Sequence, residues 1–434
     1  MVDNSSWMGD VLRDHPDFGD IPITQMALAG SHDAGTIHMG ENARTQDRTI
    51  EQQLGIGLRY FDLRPKLNNN DYYIHHGGLG SDNILAKRPA PPEPDLDKGD
   101  AIFAQIRRFL KANPNEVVIL RYADYRQFKK DQDYVDFVDL MRTYFTFNVT
   151  GPVPSRCGLV TLPHGTRPYV NQQTLNTLIG RGERVFVIFE IENVPANDRR
   201  IWDFVFHCQN GLGKSPLDRM VLWDPYWDDK SGSLADDDAA NVKDVWFPWH
   251  EENLKTWKQD GFFVLQSQMQ VLHPTNNGAP GYFNKAERSA RATSKLYRYH
   301  GDDYLIGNND RNSSQYVAWL QAGQPMNIIT FDFAEYGGLP DKIIAHYRGW
   351  KLVANNAQSG AADWHNKLRE EHDVSAGEAA RIANSDPRIG FFFFVKGPKL
   401  VLTGKGTFER NTAVFFSGSP QRGSAQGLAD LYVK

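Results

Sequence analysis

Met26-Ala27-Leu28-Ala29 runs into Gly30-Ser31-His32-Asp33-Ala34-Gly35-Thr36, an apolar stretch of strand length that ends in a histidine and an aspartate. The same pattern returns downstream. Leu58 to Leu63 closes on Asp62-Leu63-Arg64, and Tyr72 to His75 closes on His76-Gly77. Five further apolar or β-branched runs follow, at Val117 to Leu120, Val185 to Phe189, Met220 to Trp223, Phe262 to Gln266 and Ile328 to Phe333. Between the runs lie segments of helical character, Ala101 to Ala112, Tyr134 to Tyr144 and Arg199 to Cys208. Continuous apolar strands alternating with helices indicate a parallel sheet covered on both faces. Eight of them favour an α/β chain closed into a distorted TIM-type (β/α) barrel over an open sheet.

In such barrels the chemistry gathers at the carboxyl ends of the strands. His32 and Asp33 follow the first run, Asp62 and Arg64 end the second, His76 ends the third, Asp224 follows Val221-Leu222-Trp223, and Asp332 ends Ile328-Ile329-Thr330-Phe331-Asp332. Strand side chains alternate, so Tyr60, Asp62 and Arg64 are expected on one face and Phe61 and Leu63 on the other, against the outer helices. Standing alone, Asp62 and Arg64 would read equally as a buried ion pair, and a lone histidine as structural. Two histidines beside carboxylates and an arginine call for another weighing. One imidazole can take a proton while the other gives one, and the guanidinium fork can hold phosphate oxygens. That is equipment for phosphodiester cleavage by general acid and base.

Composition narrows the partners. The chain has 434 residues, 40% hydrophobic and 23% charged, with a net charge of -5, and carries no basic footprint for nucleic acid. Two cysteines, Cys157 and Cys208, leave room for one bridge and no thiolate cluster. Met1 to Asp20 holds no apolar signal core, and no run reaches the length that spans a bilayer. The expectation is a secreted or extracellular mature form, with the cytoplasm as the other option, and a monomer.

The same reading divides the chain at a small-residue linker, Asn355 to Ala361. Residues 1–354 form the barrel domain, closed by a helix from Pro340 to Val353, and residues 362–434 form a small α+β or β module. That module is expected to hold a helix from Ala376 to Asn384 and strands at Phe391 to Val395, Leu400 to Leu402 and Ala413 to Phe416. Asn113-Pro114-Asn115 ends the helix before Val117, because proline bars helical geometry from the residue before it. Arg88 to Pro94 reads as a stiff extended rim and Asp228 to Asn241 as an exposed insertion. Trp223, Trp227, Trp246, Trp249 and Trp257 gather near one strand end, as rim aromatics for a lipid surface or as core packing.

Gly30-Ser31-His32-Asp33, Gly57 to Arg64, His76-Gly77 and Asn113 to Leu120, in this order and spacing, resemble the X region of bacterial phosphatidylinositol-specific phospholipase C. The resemblance covers residues 23 to 125, with echoes at Trp223-Asp224-Pro225-Tyr226 and Ile329 to Phe333. It implies attack of the inositol 2-hydroxyl on phosphorus, releasing diacylglycerol and a 1,2-cyclic phosphate. His32 would be the general base, oriented by Asp332, and His76 the general acid, supported by Asp33; His75 is the rival of His76. Arg64 would hold a phosphate oxygen, and Asp62 would position the groups. Arg64 stands where the calcium-dependent branch has an acidic ligand, so no cofactor is expected, with Ca2+ through Asp124 as the alternative. The substrate would be a phospholipid or inositol phosphodiester met in transient contact with a membrane surface. Substrate-binding positions would be Glu190, Asp224, Tyr226 and Trp223. Ala123 and Glu190 replace the lysine and arginine that reach inositol in the metal-independent branch. Glu190 and Glu192 therefore either bond hydroxyls of a different polyol or glycan, or are surface groups. A non-inositol or glycosylated phosphodiester on the same machinery, an inactive binding module and a glycosidase are the other readings.

Overall fold

The structure is a computed structural model that describes residues 3–39, 43–76, 79–88, 95–149, 155–160, 170–190, 206–207, 222–223, 247–257, 259, 261–267, 297–299, 302–306, 308–332, 334–335, 337–354, 367–374, 376–395, 399–402, 406–409, 412–417 and 429–433. In chain order the strands are β1 (Leu28–Ser31), β2 (Tyr60–Leu63), β3 (Pro65–Asn68), β4 (Asp71–His76), β5 (Leu79–Ala86), β6 (Val118–Tyr122), β7 (Phe147–Val149), β8 (Ser155–Leu159), β9 (Glu183–Phe189), β10 (Phe206–His207), β11 (Leu222–Trp223), β12 (Phe262–Gln266), β13 (Tyr297–Tyr299), β14 (Asp302–Ile306) and β15 (Ile328–Phe331). The C-terminal strands are β16 (Lys351–Ala354), β17 (Lys367–Glu371), β18 (Ile389–Val395), β19 (Lys399–Leu402), β20 (Gly406–Glu409), β21 (Thr412–Ser417) and β22 (Ala429–Val433). The helices are α1 (Trp7–Asp14), α2 (Ile50–Gly55), α3 (Ile102–Ala112), α4 (Asp131–Phe145), α5 (Leu175–Arg181), α6 (Phe247–Thr256), α7 (Asn308–Gln321), α8 (Leu339–Tyr347) and α9 (Ala376–Ser385).

The chain is a mixed α/β protein whose main sheet runs β11-β12-β15-β1-β2-β6-β9, and β10 also pairs with β9. Every step of that path from β11 to β10 is parallel. At its start β9 also pairs with β8, which carries β7 antiparallel at the edge. The two faces of the sheet bury different clusters, as strand alternation requires. Leu28, Tyr60, Ile119, Ile188, Val264 and Ile328 share an inner cluster, whereas Phe61, Leu63, Val118, Leu120, Val187, Leu265 and Ile329 pack with residues of α3 and α4. The sheet is strongly curled. The Phe186 and Phe262 rings meet at 5.3 Å although β15, β1, β2 and β6 lie between their strands.

α1 presses Trp7, Met8 and Val11 into the inner cluster, and at the same end Arg59 is fully buried. Its guanidinium meets Glu116 at 2.6 Å and also donates to the carbonyls of Asn4, Ser5, Leu54 and Leu58. A buried ion pair is tolerable when its hydrogen bonds are this complete.

Two strand expectations are corrected. The run Tyr72 to His75 belongs to β4, the centre of an antiparallel β3-β4-β5 sheet, and not to the parallel sheet. Asn69 and Asn70, with φ of 48° and 71°, make the tight turn that folds β4 back on β3. Along the path from β11, the eighth described strand is instead β10, inside the segment Arg199 to Cys208 that reads as a helix; the rest of that segment lies outside the described residues. Nor does a helix run from Pro340 to Val353: α8 stops at Tyr347, and β16 leaves it to pair with β22.

The C-terminal sheet runs β16-β22-β18-β21-β17, all antiparallel, with α9 packed on Phe392, Phe394 and Phe415. Trp350 fastens this unit by donating to Asn384 at 2.8 Å. The linker 355–361, the rim 89–94 and the insertion 228–241 lie outside the described residues.

Candidate active site

The inward positions of each strand climb from the apolar cluster into polar chemistry with a period of two. Leu28 leads to Gly30 and His32, Tyr60 to Asp62 and Arg64, Ile119 to Arg121 and Ala123, Ile188 to Glu190, and Ile328 to Thr330 and Asp332. β1 approaches β2 closely, since a Cβ on Gly30 would lie 2.8 Å from the Tyr60 ring. The loop after β1 is tied down by uncharged side chains. Gln46 donates to the carbonyls of His32 (2.8 Å) and Phe331 (3.0 Å), and Thr45 donates to the carbonyl of Asp33 (3.0 Å). These bonds hold the ends of β1 and β15 together and so set His32 beside Asp332.

His32 is buried, and its Nδ1–H donates to Asp332 Oδ1 at 2.8 Å, which leaves Nε2 facing the site. Nε2 lies 3.4 Å from Asp33 Oδ2 and 3.3 Å from Nη2 of Arg64. Burial works against the imidazolium, but the carboxylates of Asp33 and Asp332 outweigh it and raise His32 to about 9. Asp33 is the hub. Its φ of 44° is left-handed, a conformation that aspartate adopts more readily than most side chains. One oxygen meets Nε of Arg64 at 2.5 Å, and the other lies 3.2 Å from Nε2 of His76. Burial opposes its charge, yet Arg64, His32 and His76 hold the carboxyl down at about 2.

His76 donates from Nδ1 to the Ala43 carbonyl at 2.8 Å, so Nε2 is the atom it turns toward Asp33. His75 faces elsewhere, with Nε2–H donating to the Asp124 carbonyl at 2.6 Å. The carboxylate of Asp124 is paired with Arg126 at 3.7 Å and stands with His75. Asp62 meets Arg121 at 3.5 Å, and Arg121 reaches Glu190 at 2.5 Å. Arg121 is the member that sequence reading missed.

His32, Asp33 and Asp62 offer ligand atoms within 4.8 Å of one another, which is a geometry a metal ion could use. Arg64 on Asp33 and Arg121 on Asp62 put a fixed positive charge against two of those three ligands, so the residues present do not fit a divalent cation.

Asp224, Tyr226 and Glu192 lie outside the described residues, as do Trp227 and Trp246, and Trp223 is described only as part of β11. Trp257 is core, buried against Phe263 at 5.3 Å between ring centroids, and Trp249 packs against the same cluster. Cys157 is a buried free thiol, and Cys208 lies outside the described residues. No helix among the described residues is long and apolar enough to cross a membrane.

Two histidines and an arginine converging on one buried carboxylate, with His76 brought in from the antiparallel β4, make a centre able to move protons beside an anion. Comparison with known proteins finds relatives over part of the chain. No family model matches the chain. It is 30% identical over 105 residues to the 1-phosphatidylinositol phosphodiesterase of Listeria monocytogenes, covering 24% of this chain and 28% of that protein. It is 23% identical over 232 residues to the mouse PI-PLC X domain-containing protein 1, covering 46% and 58%. The chain thus matches less than two thirds of the length of either relative. Among solved structures, the phosphatidylinositol-specific phospholipase C from Listeria monocytogenes aligns with 79% of this chain and 98% of its own, at 17% identity and a TM-score of 0.46. The chain is accordingly similar to the bacterial phosphatidylinositol-specific phospholipases C, as the order of its motifs implies.

Proposed function

We propose that this chain is a metal-independent phosphodiesterase that cleaves phosphatidylinositol, or a related inositol phosphodiester, to diacylglycerol and a 1,2-cyclic phosphate. One observation carries the reading: Nε2 of His32 and Nε2 of His76 both face Asp33 Oδ2, at 3.4 and 3.2 Å, with Arg64 bound to the other oxygen of the same carboxylate. That arrangement supports a base, an acid and a phosphate-binding cation acting on one phosphorus atom.

In this mechanism Nε2 of His32 takes the proton from the ring hydroxyl next to the phosphate-bearing carbon. That oxygen attacks phosphorus, the bond to the diacylglycerol oxygen breaks, and His76 gives the leaving oxygen its proton. Arg64 offsets the charge that builds on the non-bridging oxygens. Asp332 holds the tautomer of His32, and Asp33 holds Arg64 and His76 in place. The parallel strands close as a TIM-type barrel through β10 and β11, a reading supported by the strand order and the Phe186–Phe262 contact. The enzyme works as a secreted monomer that touches the membrane surface only to take its substrate.

Phosphorus NMR of the protein with phosphatidylinositol vesicles, with and without EDTA, tests the reading. A cyclic phosphate signal that survives chelation is the expected result. Loss of turnover on chelation overturns the metal-free mechanism. Cleavage of another polyol phosphodiester with inositol lipids untouched replaces the substrate, an outcome the Ala123 and Glu190 positions make worth including.

A further inference from the structure

We propose that the cavity between β5, α2 and the start of α3 is a binding site for a single-chain anionic amphiphile, a fatty carboxylate whose chain lies on an aliphatic wall and whose head meets Lys87. None of His32, Asp33, Arg64 and His76 lines this cavity, and the assignment is independent of the chemistry proposed for them.

The cavity holds about 920 Å³, within the ~300–1,000 Å³ of sites that take drug-sized ligands. Its wall is aliphatic. Ile50 of α2 and Ile102 of α3 belong to the outer core beside it, and half-buried Ile37, Ile84 and Leu96 continue that surface. The amide side chains of the lining are already engaged. Asn83 donates to the Gly35 carbonyl at 2.9 Å, while Gln105 accepts from the Glu51 amide at 3.0 Å and donates to the Asp100 carbonyl at 2.6 Å. A sugar would find few partners here for its hydroxyls, and burying them without partners is costly. Tyr144 is the one Phe, Tyr or Trp among the described lining residues, and its hydroxyl donates to the Lys87 carbonyl at 3.1 Å, so no pair of ring faces clamps a planar ligand. A flexible apolar chain gains by covering this wall.

Charge selects the head. The described lining carries five Lys or Arg and three carboxylates. Four of the five cations are matched: Arg108 meets Glu51 at 2.6 Å, Lys98 meets Asp95 at 3.3 Å, Arg88 meets Asp136 at 2.9 Å, and Arg48 acts on Glu335. Lys87, exposed and one residue past the end of β5, has no carboxylate partner among the described residues. One unmatched ammonium suits one negative charge, which a fatty carboxylate carries, whereas a phosphate monoester brings about 1.5 to 2 at neutral pH. The inner wall is closed. Ala34 and Gly35 follow Asp33 directly, and a Cβ on Gly35 would lie 2.7 Å from Ile74 and 2.8 Å from Ile102, so a chain rests against this wall instead of passing into the strand mouth.

The test is calorimetric titration of the full chain with laurate, acetate and dodecyltrimethylammonium, the amphiphiles kept below their micelle concentrations, for wild type, Ile37→Trp and Lys87→Glu. Ile37 is half-buried and Lys87 exposed, so both variants should fold, which their melting temperatures check. Wild type should bind one laurate per chain and neither of the other probes. From octanoate to laurate, affinity should rise by up to about fourfold per methylene. Ile37→Trp fills the cavity and should weaken laurate by about tenfold, in the range of overpacking costs. Lys87→Glu should weaken it by about fivefold, the scale of an exposed charge pair, and admit dodecyltrimethylammonium instead. Nuclear Overhauser contacts from the bound chain should reach the methyl groups of Ile84 and Ile102. Contacts to Ile119 or Ile188 would place the chain in the inner cluster and overturn the assignment. A wild type that binds no laurate, or takes both amphiphiles equally, overturns it too, as does undiminished laurate binding in the folded variants.

Discussion

Replacing Asp332 by asparagine keeps the shape of the side chain and removes its charge. Asp332 Oδ1 lies 2.8 Å from Nδ1 of His32, and both side chains are more than nine-tenths buried, so the change is felt at low dielectric. His32 stands at about 9 because Asp33 and Asp332 together outweigh its burial. Giving up one charge-assisted hydrogen bond, about 1.5–3 kcal/mol, corresponds at about 1.4 kcal/mol per unit to a fall of one to two pH units. More of His32 is then in the base form at neutral pH, yet the rate should drop. Without the carboxylate charge, and with an amide that can also donate, the tautomer that leaves Nε2 free is no longer imposed, nor is the imidazolium that forms when the proton is taken stabilised. A comparable change in a serine protease triad lowers kcat by about 10⁴-fold, and a fall of about 10³-fold is expected here. The assay is release of cyclic phosphate from phosphatidylinositol vesicles across pH 5 to 10, paired with an NMR titration of His32. The rising limb of the kcat/KM profile should move to lower pH by one to two units. A rate that falls while the His32 midpoint stays put refutes the charge argument, and an unchanged rate removes Asp332 from the catalytic set.

The same charges set how stability depends on pH. His32 is raised to about 9 in the folded chain from 6.5, so its contribution is complete below pH 6.5 and is lost as pH rises through about 9. That shift is worth about 3 kcal/mol, so stability to thermal unfolding should fall as pH rises between those limits in wild type and much less in His32→Gln; parallel curves would contradict it. Asp33 has the opposite sign. Its contribution is present above 3.8 and lost as pH falls through about 2. Arg59→Met strands Glu116 in the core and should cost about 3–5 kcal/mol in urea unfolding while sparing turnover per folded molecule; a loss under 1 kcal/mol would mean the pair is dispensable. Gly182 ends α5 at φ 67°, with a Cβ placed there only 2.5 Å from the Arg156 carbonyl oxygen. Gly182→Ala should therefore cost at least about 1 kcal/mol by calorimetry, and an unchanged Tm would show that β8 can give way.

How far the sequence carried the site follows from which signals are local. His32, Asp62, Arg64 and Asp332 were legible because each extends an apolar run by whole steps of two, and parity decides the face. Arg121 obeys the same rule, but the apolar run stops at Leu120, where a charged residue ends it, while the strand runs on to Tyr122. Thr45 and Gln46 carry no periodicity, and only the meeting of β1 with β15 gives them carbonyls to bind. The misplaced third strand did have a local signal. Asn69-Asn70 is a two-residue turn, and a return that tight permits only an antiparallel neighbour. β10 left none, because two paired residues are too few to write a pattern.

Asp33 explains why a site so rich in carboxylates can still serve an anion. The cluster that would tempt a divalent cation, His32, Asp33 and Asp62, is already met by guanidinium groups on two of its three members. Asp33 meets Nε of Arg64 at 2.5 Å, and Nη2 of the same group lies 3.3 Å from Nε2 of His32. A phosphate oxygen reaching that group would come beside the proposed base and, through the other oxygen of Asp33, near His76. The carboxylate thus keeps Arg64, His32 and His76 together before any substrate arrives, a service a bound metal would destroy. Its left-handed backbone is the local strain that aims it, and β2 meets that strain with the Ala34 amide bonded to the Asp62 carbonyl at 2.8 Å. Chemistry and fold are therefore joined at the residue after His32, where the first strand gives way to its loop.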